Sequence, residues 1–89
     1  MISVIIVTFN AESSISRCID SIINQTIQDF ELIIINDGST DKTLEIIEMY
    51  EEKDNRIVKI SRENKGVAIS RQEGLDISKG EYTIFVDSD

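Results

Sequence analysis

The polar and apolar positions of the chain follow two alternating periods. From Ile2 to Thr8 the run is almost continuously apolar, Ser3-Val4-Ile5-Ile6-Val7, the pattern of a strand buried on both faces. Ile15, Cys18, Ile19, Ile22 and Ile23 then recur at i, i+3, i+4, i+7 and i+8. That is the stripe of an amphipathic helix, with a start at Asn10 or Ser13. Leu32 to Ile35 gives a second buried strand. From Asp41 to about Lys53 the pattern is helical, with Leu44, Ile47 and Tyr50 or Met49 on one side and Glu45, Glu48, Glu51 and Glu52 on a solvated remainder. Ile57 to Ile60 forms a third strand. Gly66 to about Ser78 forms a third helix, with Lys79-Gly80 as a basic last turn and left-handed cap. Tyr82 to Val86 is the fourth strand.

Strands and helices alternating over short connections predict right-handed crossovers and a mainly parallel four-stranded sheet with helices on both faces, a Rossmann-like α/β unit forming one domain over 1–89. Ligands of such sheets lie beyond the carboxyl ends of the strands. The residues to inspect are therefore Thr8-Phe9-Asn10, Asn36-Asp37-Gly38-Ser39, Arg62-Glu63-Asn64-Lys65-Gly66 and Asp87-Ser88-Asp89.

Composition narrows the ligand. At 89 residues the chain has room for one core, and 40% apolar with 29% charged residues is an ordinary globular balance. A net charge of -8 opposes nucleic acid as a partner, and an anionic ligand would have to enter with a cation. The single Cys18 has no internal disulfide partner and reads as a small core hydrophobe in a reducing compartment. No apolar run approaches the roughly 18 residues of a membrane span. Met1-Ile2-Ser3 opens directly into a strand without the features of an export signal, so the expected location is cytoplasmic.

The first loop carries neither G-x-G-x-x-G nor a P-loop, and Thr8-Phe9-Asn10 stands where a receiver domain needs an acidic pair. Asp37 is an acceptor in an Asp-Gly turn and suits the imide N–H of uracil, thymine or guanine, while Asp37-Gly38-Ser39 reads equally as a turn and helix cap. Phe9 suits base stacking or the core. Lys65 and Arg71 lie at and one turn into the helix that starts near Gly66, where phosphate is favoured, and each also reads as a surface cation. Asp87 and Asp89, two apart at a strand end, suit a hard divalent ion such as magnesium or manganese that is completed by substrate phosphate oxygens.

Taken together, "SVIIVTFN", "SIINQTIQDFELIIINDGSTDKT", "RENKGVAISRQEGL" and "GEYTIFVDSD" resemble the N-terminal nucleotide-binding half of a family 2 glycosyltransferase with the GT-A fold. Val7 stands where the family often has Pro, Phe9 where Tyr is usual, and Asn36 replaces the first Asp of the Asp-Asp-Gly-Ser turn. The resemblance implies a donor site for a UDP- or GDP-type nucleotide sugar built from Thr8, Phe9, Asn10, Asp37, Gly38, Lys65, Arg71, Asp87 and Ser88. In it Phe9 flanks the base, Asp37 bonds to it, Lys65 or Arg71 lies near the nucleoside or diphosphate, Asp87 holds ribose or sugar hydroxyls, and Asp89 ligates the metal. It further implies inverting, metal-assisted transfer to an acceptor that the sequence does not identify. The general base belongs to a later, acceptor-binding half, so no catalytic residue is expected here, and the chain reads as a truncated donor-binding fragment. The competing expectations are a non-catalytic nucleotide-binding module and a structural α/β fragment that self-associates through an exposed sheet edge.

Overall fold

The structure, a computed structural model, describes residues 1–88. Strands β1 (Ile2–Thr8), β2 (Phe30–Asp37), β3 (Ile57–Arg62) and β4 (Tyr82–Asp87) alternate with helices α1 (Ile15–Ile23), α2 (Thr43–Lys53) and α3 (Val67–Ile77). The four strands form one parallel sheet in the order β3-β2-β1-β4. The two central strands are the most apolar, as required of strands covered on both faces, and every residue of β2 is buried.

Alternation along these strands sorts the core into two layers. Val4 and Ile6 of β1 and Leu32 and Ile34 of β2 face the layer completed by Ile15, Ile19 and Ile22 of α1 and Ile47 of α2. Ile5, Ile33 and Ile35 point the other way, towards α3. Each fully buried isoleucine is worth about 1.5–3 kcal/mol, so truncating Ile34 to Ala would cost about 2–5 kcal/mol in transfer and cavity terms. The second layer is thin. Val67, Ile69, Leu75 and Ile77 of α3 and Tyr82, Ile84 and Phe85 of the edge strand β4 are all exposed.

Most boundaries follow the periodicity, and the exceptions are local. α1 does not begin at Asn10 or Ser13. Its cap is Ser14, and Asn10 stands in the left-handed region at φ 48°. α3 ends at Ile77 without a basic last turn, and Ser78 leaves it in an extended conformation. Gly80 is not a left-handed cap, because the positive-φ glycines are Gly38 and Gly66. Close packing explains Gly80 instead: a Cβ there would lie 2.6 Å from both the amide nitrogen and Oγ of Ser3. In α2, Ile47 faces the core while Met49 is exposed, which resolves the choice between Tyr50 and Met49 in favour of the half-buried Tyr50. Cys18 is half-buried against the larger layer, and its thiol donates to the Asp87 carbonyl at 3.4 Å.

Candidate functional site

The carboxyl ends of β1, β2 and β3 meet three loops, hydrogen bonds link these loops side to side, and the end of β4 lies beside the first. Behind β1, the Asn10 amide donates to Ser39 Oγ at 2.9 Å, and Asn10 Oδ1 accepts from the Thr40 amide at 2.8 Å. These bonds tie the first loop to the second. Gly38 turns at φ 78° against the third loop, and a Cβ there would meet the Asn64 amide nitrogen at 2.5 Å. Asn64 in turn donates its side-chain amide to the Asp37 carbonyl at 3.0 Å. The turn-and-cap alternative for Asp37-Gly38-Ser39 holds only for the turn. The N-cap position of α2 is Lys42, and Asp41 just before it accepts on Oδ1 from the Thr43 amide at 2.9 Å and from the Thr43 hydroxyl.

Asp37 is the most enclosed charged group of this edge, with its side chain only 6% exposed. Oδ1 accepts from the Lys65 amide at 2.8 Å and from Arg62 Nη1, and Oδ2 accepts from the Gly66 amide at 3.1 Å. Burial by itself pushes this carboxyl upwards. The Lys65 amide, the Arg62 guanidinium and the Gly66 amide outweigh it and hold the group below the usual carboxylate range. A carboxylate offers about four acceptor positions, so one on Oδ2 is left beyond these three donors.

The other expected residues divide between exposed groups and framework. Phe9 is 51% exposed, which excludes the core alternative. With Asn10, Ala11, Ser13, Ser14 and Ser88 it lines an open cleft of about 390 Å³ between the first loop and the end of β4. That is within the usual size range of small-molecule sites, about 300–1,000 Å³. Thr8 is buried, and its Oγ1 finds no hydrogen-bond partner among the described residues. Lys65 is exposed, and its backbone, not its ammonium, reaches Asp37. Arg71 stacks over the Phe85 ring at 5.6 Å and shares a small pocket with Asp87. Asp87 ends β4 as an exposed carboxylate, and Ser88 beside it is buried. The metal assignment to Asp89 lies outside the described residues. A separate groove of about 330 Å³ between α1 and α2 is lined only by residues of those helices, away from the strand ends.

Among the described residues no group of three His, Cys, Asp or Glu side chains comes together as a metal site. The exposed carboxylate of Asp87 at the end of β4 fits a hard cation held by few protein oxygens and completed by phosphate. Three residues escaped the sequence-based assignment: Arg62, Ser70 and Glu73. Arg62 ends β3 in register with Asp37 at the end of β2, and it also reaches Ser70 Oγ at 2.8 Å and the Glu73 carboxylate on α3. Opposite charges closing two neighbouring parallel strands were the available signal.

A parallel sheet in this order, with its polar groups collected at the carboxyl ends, is a Rossmann-like α/β architecture, and its structural neighbours are glycosyltransferases of the GT-A fold. The chain belongs to the family described as Glycosyl transferase family 2, whose profile matches residues 3–89. It is 44% identical over 88 residues to the glycosyltransferase GlyA of Streptococcus pneumoniae, covering 99% of this chain and 13% of that protein. It superposes on S. aureus TarS 1-349 in complex with UDP-GlcNAc with a TM-score of 0.89 at 36% identity, covering 99% of this chain and 26% of that one. The mannosyltransferase PcManGT of Pyrobaculum calidifontis, in complex with GDP-Man and Mn2+, matches with a TM-score of 0.85 at 25% identity, covering 99% of this chain and 27% of that one. The chain thus spans well under half the length of each of these proteins.

Proposed function

We propose that this chain binds a nucleoside-diphosphate sugar at the carboxyl edge of its sheet and is the donor-binding part of an inverting, metal-assisted glycosyltransferase. The observation that carries the reading is the ionised Asp37, held by two amides and a guanidinium where three loops are hydrogen-bonded together, with an open cleft of nucleotide size beside Phe9 on the same carboxyl edge. Asp37 Oδ2 accepts the base N–H, and exposed Phe9 offers its ring to the base. Lys65 and Arg71 bring positive charge towards the diphosphate, and Asp87 and Ser88 meet the ribose or sugar hydroxyls.

A divalent ion, magnesium or manganese, would be held by Asp89, the second carboxylate of Asp87-Ser88-Asp89, and would neutralise charge on the departing diphosphate. Family membership and the Mn2+ in PcManGT support that role for a metal. Within these 89 residues the reading assigns donor binding, while acceptor recognition and the general base fall to no residue of this chain. Calorimetry with UDP and GDP, with and without manganese, tests it. Saturable binding that tightens with the metal is expected, and no binding of either nucleotide at millimolar concentration would refute it.

A second reading, self-association through the sheet edge, is favoured by the exposure of Tyr82 (71%) and Ile84 (48%) on β4. Sedimentation at increasing concentration is expected to give dimers that dissociate on Ile84→Lys, and a monomer at every concentration would refute it.

A further inference from the structure

We infer that Arg62 is a positioning residue for base selection: its fully committed guanidinium fixes which oxygen of Asp37 faces the ligand, and so sets the preference for bases that carry an imide N–H. The inference rests on the base-recognition role given to Asp37 above. A guanidinium has five N–H donors, and all five of Arg62 are used, on Asp37 Oδ1, the Glu63 carbonyl, Ser70 Oγ and, twice, Glu73 Oε1. With no donor left, Arg62 cannot itself bind base or phosphate without breaking this set. Its influence passes through Asp37.

The two strand ends are in register, so guanidinium and carboxylate meet without a change of backbone. Nη1 and the Lys65 amide together fill Oδ1, while Oδ2 receives only the Gly66 amide. The free acceptor position is consequently on Oδ2, and the carboxylate cannot rotate to exchange its oxygens while Nη2 and Nε remain anchored on α3. The fork geometry is essential here. A lysine ammonium is a compact charge with three donors and cannot span Asp37, Ser70 and Glu73 in one plane. The charged groups facing Asp37 are Arg62 from β3 and, behind it, Glu73 from α3, so the clamp also keeps the carboxyl ionised.

The test compares UDP with CDP, whose base lacks the imide N–H, by calorimetry on the 89-residue chain and its variants. The unsubstituted chain is expected to prefer UDP. Arg62→Lys is expected to lose about tenfold in UDP affinity, the value of one hydrogen bond to a charged group, with CDP affinity unchanged. The acid limb of UDP binding should also move to higher pH as the Asp37 carboxyl returns towards its ordinary range. A parallel fall for both nucleotides, or preserved discrimination, would overturn the inference. Should Arg62→Lys fail to fold, Glu73→Ala leaves Arg62 and Asp37 in place but removes two of the five anchors, and a smaller loss of discrimination is expected. Asp37→Asn separates the two levels of the claim. If it abolishes discrimination while Arg62→Lys does not, the positioning role alone is wrong. If the unsubstituted chain does not discriminate, base recognition by Asp37 and the role of Arg62 fall together.

Discussion

Strand β2 carries two buried carboxylates, one near each end, and they are used in opposite ways. Glu31, near the amino end, has its Oε2 closed by the Ser3 hydroxyl at 2.6 Å and by the Lys79 amide, and Gly80 donates to the same Ser3 Oγ at 2.8 Å. These bonds tie the turn between α3 and β4 to the first strand. Asp37, at the carboxyl end, is held by two amides and a guanidinium, yet keeps an acceptor position on Oδ2 beside loops that are open to solvent. Both are satisfied buried acids, and burial alone does not tell them apart. The difference lies in what surrounds them. The amino edge is closed by one turn packed against β1, whereas the carboxyl edge is lined by three loops, the end of β4 and a cleft.

The strongest way to break this contrast is Asp37→Asn. The new amide turns an N–H towards either Arg62 or the Gly66 amide, so stability should fall by about 2 kcal/mol and UDP affinity by more than tenfold. Denaturant melts and calorimetry check the two effects separately. Glu31→Gln should cost about 1–2 kcal/mol of stability, since one uncharged oxygen still meets the Ser3 and Lys79 donors, and UDP affinity should not change. If Glu31→Gln weakened nucleotide binding as much as Asp37→Asn, the two ends would not be functionally distinct.

Phe9→Ala sharpens the contrast on the side of the cleft. Loss of a stacking face worth about 1–3 kcal/mol should lower nucleotide affinity, while the exposed position keeps the change in stability within about 0.5 kcal/mol. Equal losses in both would return Phe9 to a packing role. The smallest effect is on acid stability. The folded carboxyl of Asp37 lies below its unfolded value, so its contribution is present above the unfolded value and is lost as pH falls through the folded one. Asp37→Asn should flatten the stability curve on the acid side of about pH 4, the ordinary carboxylate value, and an unchanged slope would show that Asp41 and Asp54, also held low, carry it.

Much of the fold was legible because buried parallel strands write themselves as apolar runs, and all seven elements stand close to where the periodicity puts them. The misplaced boundaries are those set by contacts between distant segments. Asn10 has the residue type of a helix cap but is held by Ser39 and Thr40 across the loops, and Gly80 is required by Ser3, far away in sequence. At the site, the stretches to inspect follow from the strand ends alone. Arg62 lay inside one of them, but its commitment to Asp37, Ser70 and Glu73 depends on strand register and on the face α3 presents, neither of which a linear pattern encodes.

The central claim, that the carboxyl edge and not the amino edge of this sheet receives a nucleoside diphosphate, is tested most directly by backbone amide chemical shifts during titration with UDP and magnesium. The account predicts perturbations at Phe9, Asn10, Gly38, Lys65, Gly66 and Ser88, with Ser3, Glu31, Lys79 and Gly80 unmoved. Saturating shifts centred on the amino edge or on the groove between α1 and α2, or none at any UDP concentration, would contradict it.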